Sequence, residues 1–479
     1  MYDAVFSIMG ILYWLYWVVA IVVMARVVLR NHDAVKTLAW IMVFIFLPFL
    51  GLVLYFFFGR DTRRRRMVGK RFMAQVGHNG MLGADGCAAE SVHPAFQPLT
   101  VFFENVSSSP LLPFDEVEVI ADTRLFAERL FEMISAARHH IHLQFYIIEN
   151  DGFGQRLRDA LVEKARQGVE VRLIYDSVGC WKVSDAFFES IREAGVCVVS
   201  FIDVYFPLLS NRVNYRNHRK IVVVDGNVGM VGGCNIADRY LRGVRGVRGG
   251  CWRDTMLLLR GAAVNGLQAS FVIDWFFANR TLVNGKCYFP LSGSVVGESY
   301  VQTVASNPIG DVRVIYSGYI KILALAKEHV YLQTPYFMPD EAFLQALRSA
   351  ALSGVDVRLM IPEHSDSAIA DYASMSNIGT LLDSGVKVFL YRAGMLHCKT
   401  LVCDGYLTSI GSVNLDSRSF FYNFEVSTFV YDSAVALKVK ENFIDDLEQC
   451  RQLTVNEYRR RPFVRRCAES LVKLFSPLL

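Results

Sequence analysis

The sequence lacks the cysteine patterns that mark disulfide frameworks and structural zinc sites. Ten cysteines are scattered along 479 residues, and no two of them form a Cys-x-x-Cys pair. This argues against both kinds of site and fits a reducing compartment. The sequence also lacks a large excess of one charge, because its formal net charge is only +4. Bulk binding of nucleic acid is therefore not indicated.

Apolar residues, in contrast, are abundant. They make up 53% of the chain, whose mean hydropathy is +0.28, so membrane segments are expected. Two apolar runs lie near the N-terminus, from Ala4 to Ala25 and from Leu38 to Phe58. Each has about the 20 residues that a helix needs to cross a bilayer. The first run is too long for a signal peptide and no small-residue cleavage site follows it. We predict a hairpin of two transmembrane helices over residues 1–60.

The positive charges around these runs predict the orientation. The connection between the runs carries Arg26, Arg30 and Lys36. A larger basic block follows the second run and consists of Arg60, Arg63, Arg64, Arg65, Arg66, Lys70 and Arg71. Since the larger block stays on the cytoplasmic side, everything after Phe58 is expected in the cytoplasm. These arginines either hold the chain against acidic lipid or only solubilise the segment.

The rest of the chain alternates strand-like and helical patterns in two copies. His140 to Gln144 is echoed by His329 to Gln333, and further strand patterns recur at a nearly constant offset. We predict an α/β fold in which two similar domains, 111–300 and 301–455, pack about a pseudo-twofold axis. Residues 61–110 are expected to form a basic juxtamembrane segment and linker. A duplication without a shared site is the alternative.

A sharper pattern occurs once in each copy. A histidine is followed two positions later by a lysine, then by an aspartate and by Gly-x-x-Asn. The residues between lysine and aspartate are β-branched or apolar, which predicts a buried strand whose histidine and lysine share one face. Joined at one centre, the copies would supply two imidazoles, two ammonium groups and two carboxamides. The residues are His218, Lys220, Asp225 and Asn235 in the first copy and His397, Lys399, Asp404 and Asn414 in the second.

Such a centre suits transfer of a phosphate ester. One histidine attacks phosphorus and the other protonates the leaving alkoxide, while lysine and asparagine donate to the phosphoryl oxygens. No metal is required, and the sequence shows no carboxylate cluster to hold one. Asp254 and Glu425 are the candidates for orienting the histidines. Asp225 and Asp404 lie at turns and are expected to brace the hairpins. A single His-x-Lys would indicate surface charge, but chance does not readily explain two matched copies.

The double motif resembles the phospholipase D superfamily and, over nearly the whole chain, its bacterial cardiolipin synthases. Gly233 departs from the usual serine of Gly-Ser-x-Asn. The resemblance implies phosphatidyl transfer between two phosphatidylglycerol molecules, giving cardiolipin and glycerol without a cofactor. It also implies a multi-pass protein of the bacterial cytoplasmic (inner) membrane with catalytic domains on the cytoplasmic side and no nucleic-acid partner. Which histidine attacks, whether phosphatidylethanolamine is a co-substrate and whether a homo-oligomer forms stay open.

Two further segments bear on the substrate. Residues 205–209 form an apolar loop before basic residues and predict either a lipid entry lip or a plug into the core. Residues 456–479 predict a basic amphipathic helix, which either lies on anionic lipid or packs with a solvated basic edge. A phospholipase or a membrane-tethered nuclease using the same site is the alternative function. A non-catalytic scaffold is disfavoured because both histidines and both lysines are present.

Overall fold

The computed structural model describes residues 2–30, 34–55, 89–203, 214–243, 252–290, 299–310 and 312–475. The N-terminal helices belong to one compact unit and the chain from residue 89 belongs almost entirely to a second, which we call the core. The basic block that follows Phe58 and the predicted lip at 205–209 lie outside the described residues.

The N-terminal unit consists of α1 (Tyr2–Arg30), α2 (Ala34–Phe46) and α3 (Leu50–Leu54). The second apolar run is therefore interrupted, and Phe49 adopts a left-handed conformation with φ 63° directly after Pro48. Proline disfavours a continuous helix because it lacks an N–H donor and its ring clashes with the preceding turn. Among the described residues, no helix combines the length and the apolar character that a bilayer span requires.

The first half of the core contains the helices α4 to α9. These helices span Gln97–Ser107, Thr123–Ala136, Gly152–Arg166, Asp185–Glu193, Asp238–Arg242 and Val264–Asn279. Strands β1 to β8 span Leu112–Pro113, Glu116–Ile120, His140–Phe145, Glu170–Asp176, Cys197–Phe201, Ile221–Val224, Val228–Gly232 and Met256–Arg260. In the second half, α10 to α16 span Val314–Leu325, Glu341–Leu352, Ala368–Asp383, Ser417–Phe421, Ser433–Leu447, Val455–Arg459 and Phe463–Phe475. Strands β9 to β18 span Tyr300–Ser306, His329–Gln333, Phe337–Met338, Asp356–Pro362, Lys387–Tyr391, Thr400–Cys403, Leu407–Gly411, Leu415–Asp416, Glu425–Tyr431 and Cys450–Leu453.

Many of these helices begin at a side chain that caps their first turn. Asp122, Asp151, Asp340 and Asp432 each accept a hydrogen bond from a backbone N–H within the following helix. Such caps satisfy donors that have no partner inside the helix. Aspartate before an apolar helical pattern is thus a local signal for where these helices start.

Two mixed sheets repeat one topology. Within the described residues, the first sheet has the order β2-β8-β7-β6-β3-β4-β5, and the second has β9-β17-β15-β14-β10-β12-β13 with β1 and β18 added at its edges. In each sheet three neighbouring strands are parallel, β3-β4-β5 and β10-β12-β13, and the other pairs are antiparallel. The strand orders match element for element, as expected for a duplicated α/β unit.

The two sheets pack against each other through a shared apolar cluster. Ile221 and Val231 of the first half belong to the same buried cluster as Val402, Ile410 and Val426 of the second. Strands β6 and β14 both contribute to this cluster. These are the strands that the two histidine motifs precede.

Candidate active site

The motif histidines lie immediately before strands β6 and β14. The strands begin at Ile221 and Thr400. The sequence predicts each histidine and lysine within a strand, but the structure places them just before it. Both segments instead pair with the other half through isolated parallel bridges. Asn217 of the first segment pairs with Phe424, and Leu396 of the second pairs with Arg253. We call this line of bridges the seam.

Backbone hydrogen bonds fix both histidines at the seam. The His218 amide donates to the Phe424 carbonyl at 2.9 Å, and the His397 amide donates to the Arg253 carbonyl at 2.7 Å. Each histidine is thus held by the half of the molecule to which it does not belong. The duplicated halves meet at the two motifs, which places them at one locus.

The two acids that the sequence predicts to orient the histidines also make contacts across the seam. His218 Nδ1 lies 3.1 Å from both carboxylate oxygens of Glu425, and His397 Nδ1 lies 2.6 Å from Asp254 Oδ2. All four side chains are buried. An acid at Nδ1 stabilises the tautomer that carries its proton there, which leaves Nε2 to face a substrate.

Burial and neighbouring charge set the protonation of this group. Burial by itself raises the pKa of each acid, but Lys399 and His397 at Asp254, and His218 at Glu425, outweigh it and lower the pKa of both carboxyls. Burial lowers the pKa of His218, and it lowers the pKa of His397 to about 3 with the help of the Lys399 charge. These pKa shifts favour neutral imidazoles beside ionised carboxylates near neutral pH.

The side chain of each lysine contacts the backbone of the histidine in its own motif. Lys220 Nζ donates to the His218 carbonyl at 2.6 Å, and Lys399 Nζ donates to the His397 carbonyl. After burial, the pKa of His218 is raised by Glu425 and lowered by Lys220, and the pKa of His397 is lowered by Lys399 and raised by Asp254. Smaller contributions act across the seam, where Lys399 lowers the pKa of His218 and Lys220 lowers that of His397. Burial also lowers the pKa of both lysines, and that of Lys220 strongly. An anion bound between the two lysines would favour their charged forms, so the site is suited to an anion.

The predicted phosphate-binding asparagines occupy different surroundings. Asn235 Oδ1 accepts from the Ile147 amide at 3.1 Å, and its Nδ2 donates to the Tyr240 hydroxyl at 2.6 Å. Within the described part of the chain, the buried Oδ1 of Asn414 has no hydrogen-bond partner. Both side chains are buried near the seam, where their amides can also donate to phosphoryl oxygens.

Aromatic rings that the sequence analysis missed surround the histidines. The Tyr146 ring lies edge-on to His218 with centroids 5.0 Å apart, and Tyr240 and Trp252 lie 5.4 and 5.3 Å from His397. These rings help exclude water from the imidazoles. The only sequence signal for them is position, because Tyr146 directly follows β3 and Trp252 lies two residues before Asp254.

The motif aspartates lie at the opposite ends of their strands. Asp225 accepts from the backbone amides of residues 138–140 at 2.8–2.9 Å, and Asp404 accepts from those of residues 327–329 at the same distances. Both adopt φ near +50° before a glycine, so they also form the hairpin turns. Each aspartate ties a hairpin to the start of β3 or β10, and no hydrogen bond to His218 or His397 is present among the described residues.

The position where the halves differ is the residue after the first motif glycine. In the second half, the Ser412 hydroxyl donates to Glu425. In the first half, Gly233 stands there, and a Cβ added to it would lie 2.2 Å from Asp254 Oδ1. The glycine therefore leaves room for the Asp254 carboxylate. The first half thus has a close contact between glycine and acid where the second half has a hydrogen bond from Ser412 to Glu425.

The chain is similar to known proteins over nearly its whole length. A family model described as cardiolipin synthase, PLD-like domain, matches residues 130–246 and 319–447, and a phospholipase D-nuclease N-terminal model matches residues 11–60. The chain is 39% identical to the major cardiolipin synthase of Bacillus subtilis over 99% of this chain and 100% of that one. It is 38% identical to a cardiolipin synthase of Geobacillus sp. WCH70 over 94% and 90% of the two chains.

Among solved structures, the phosphatidylserine synthase of Haemophilus influenzae superimposes with a TM-score of 0.62 at 14% identity. The match covers 80% of this chain and 98% of that one. At this identity the likeness concerns the fold, and it confirms the predicted pair of phospholipase D-like α/β units.

Proposed function

Since the chain belongs to the cardiolipin synthase family with phospholipase D-like domains, we propose that its two motifs synthesise cardiolipin at one shared site. Its activity is that of a cardiolipin synthase, which is a phosphatidyltransferase. The proposal adds the substrates, the residue roles and the membrane arrangement to this activity.

The proposed reaction joins two phosphatidylglycerol molecules. In the first half-reaction, Nε2 of one histidine attacks phosphorus and the bond from phosphorus to the headgroup glycerol breaks. The other histidine gives its proton to the departing glycerol oxygen. The phosphatidyl group then remains on the enzyme as a phosphohistidine, and glycerol leaves.

The second half-reaction resolves this intermediate. The terminal hydroxyl of a second phosphatidylglycerol loses its proton to the second histidine and attacks phosphorus, so the phosphorus–nitrogen bond breaks and cardiolipin forms. The bound phosphate favours a protonated imidazole, because its negative charge offsets the two lysines that otherwise disfavour that form. We assign Lys220, Lys399, Asn235 and Asn414 to the phosphoryl oxygens.

The crosswise pairs, His218 with Glu425 and His397 with Asp254, are the observation that carries this proposal. Two imidazoles whose Nδ1 atoms each face an acid of the opposite half suit a double displacement with one attacking group and one proton-transfer group. We assign the roles of positioning residues to both acids and a structural role to Asp225 and Asp404.

We also propose a place for the protein in the cell. The N-terminal region over residues 1–60 would anchor it in the bacterial cytoplasmic membrane, with the catalytic halves at 111–300 and 301–455 on the cytoplasmic side. The apolar character of α1 and the basic block after residue 60 support this arrangement. Such an anchor keeps the site beside substrates that are dissolved in the bilayer.

The test is a product analysis with purified protein and phosphatidylglycerol as the sole lipid. Cardiolipin and glycerol should appear in equal amounts. Phosphatidic acid as the main product would show that water resolves the intermediate, and the transferase proposal would then be wrong.

A further inference from the structure

The C-terminal helix α16 (Phe463–Phe475) exposes a continuous row of apolar side chains. Phe463, Cys467, Leu471 and Leu474 follow one another at intervals of three or four residues and therefore share one helix face. Phe463, Leu471 and Leu474 are 77%, 61% and 73% exposed. We call these four residues the apolar stripe.

Helix α16 packs against α12 (Ala368–Asp383) of the core, and the Tyr458 hydroxyl, just before α16, donates to the Met375 carbonyl at 3.0 Å. Glu469 is 2% exposed, and it accepts from Arg461 at 2.5 Å and from Arg465 at 3.1 Å. The Arg461 guanidinium also stacks on the Tyr458 ring at 3.4 Å. A helix held so firmly on one side presents its other side as a defined surface, which a loosely attached tail would not do.

A basic cleft adjoins this helix. Its volume is about 600 Å³, and it is lined by Ser376, Tyr458, Arg459, Arg461, Arg466, Glu469, Ser470 and Lys473. Arg459 binds Asp383 and Arg461 binds Glu469, so these charges are largely balanced. Arg466 and Lys473 supply the positive excess. The cleft thus offers cationic donors next to the apolar stripe.

We propose that α16 docks on an anionic lipid bilayer, with the apolar stripe among the acyl chains and the phosphate groups of anionic lipids in the basic cleft. Exposed apolar side chains beside arginine and lysine are the combination that an anionic membrane interface attracts. A second copy of the chain fits less well, because a twofold contact through this face would bring like charges together. The inference rests on the proposed function in so far as the substrate is a membrane lipid.

The native Cys467 allows a direct test in the full-length protein. It carries an environment-sensitive NBD label, while the other reactive cysteines are changed to serine, and the protein is placed in nanodiscs that contain acyl-chain quenchers. The label should be quenched when the discs contain phosphatidylglycerol and not when they contain only phosphatidylcholine. A label at L437C, a position 54% exposed on α14, is the matched control and should show no quenching in either.

Charge reversal tests the cleft. Arg466→Glu together with Lys473→Glu should reduce the ratio of docked to undocked protein by roughly 25-fold or more, since each basic residue contributes about fivefold near an anionic surface. Quenching at Cys467 no greater than at the control, or quenching that depends on protein concentration and not on anionic lipid, would overturn the proposal.

A kinetic arm separates docking from chemistry. Leu471→Glu together with Leu474→Glu should lower the ratio of activity on bilayer lipid to activity on monomeric short-chain phosphatidylglycerol by roughly tenfold. Leu437→Glu should leave that ratio as it is. An unchanged ratio in the stripe variant would contradict docking. Quenching by wild-type protein that makes no cardiolipin would instead refute the proposed function and leave docking in place.

Discussion

His218 Nδ1 contacts the Glu425 carboxylate at 3.1 Å although 207 positions separate the two residues in the chain. His397 and Asp254 form the reciprocal pair at 2.6 Å. Each half of the molecule therefore supplies the acid for the other half's histidine. A half that folded alone would hold its histidine without an acid, so the site depends on the packing of the two sheets.

The first prediction concerns these acids. Glu425→Gln and Asp254→Asn keep the size of the side chain but remove the charge that holds the imidazole tautomer. Each should lower kcat by roughly 10²- to 10⁴-fold with little change in KM. Asp159→Asn, at an exposed aspartate, serves as the control. Wild-type kcat in either acid variant would show that the carboxylates do not orient the histidines.

The second prediction concerns pH. Burial, aided by Lys399, lowers the pKa of His397 to about 3, whereas an unfolded histidine titrates near 6.5. Between these values the unfolded chain binds a proton that the folded protein does not. The free energy of unfolding is therefore at its full value, as far as His397 is concerned, above pH 6.5. It decreases by about 1.4 kcal/mol per pH unit as the pH falls from 6.5 towards 3.

His397→Asn removes this titration while an amide donor to Asp254 remains. The thermal midpoint of the variant should fall less steeply than that of the wild type between pH 6.5 and 4. Parallel curves for the two proteins would mean that His397 is not held neutral by burial.

The third prediction separates bracing from catalysis. Asp404→Asn keeps φ near +50°, which asparagine tolerates, but loses the charge that accepts from residues 327–329. We expect a loss of roughly 2 kcal/mol in the free energy of unfolding. The folded fraction should retain kcat within a few-fold. A loss of kcat on the scale of the histidine variants, without loss of stability, would give Asp404 a direct catalytic role.

The fourth prediction concerns Gly233. Alanine at this position would place Cβ 2.2 Å from Asp254 Oδ1, so the carboxylate must move away from His397. Gly233→Ala should cost roughly 1–3 kcal/mol of stability and should also lower kcat. Gly310→Ala is the matched control, because a Cβ there meets no atom closer than 3.5 Å. Equal behaviour of the two variants would contradict the close fit of Gly233 against the acid.

Much of this arrangement could be predicted from the sequence, because its motifs are short and each occurs in both halves. The two histidine motifs, the matched strand patterns and the candidates Asp254 and Glu425 could all be recognised within short segments. The pairing of each acid with the opposite histidine could not, because it depends on how two separate sheets meet.

Two other features also depend on distant parts of the chain. Strand β1, the first strand of the first half in sequence, pairs with β9 of the second sheet. The rings of Tyr240 and Trp252 reach His397 only after the halves have packed. The interruption of the second apolar run after Phe46, in contrast, had a local signal in Pro48.

The central claim is that both histidines act on one phosphorus atom, and a burst experiment tests it most directly. Phosphatidyl p-nitrophenol has a leaving group that departs without a proton, so it bypasses the acid in the first step. His218→Ala and His397→Ala should each reduce the turnover rate of phosphatidylglycerol by roughly 10³-fold or more. His364→Ala, at an exposed histidine, is the control and should leave this rate unchanged.

With the activated ester, one of the two variants should release a single equivalent of p-nitrophenol and retain a phosphohistidine, because its attacking imidazole is intact. The other variant should release none. Sustained turnover by both variants, or no burst from either, would contradict a site shared by the two imidazoles.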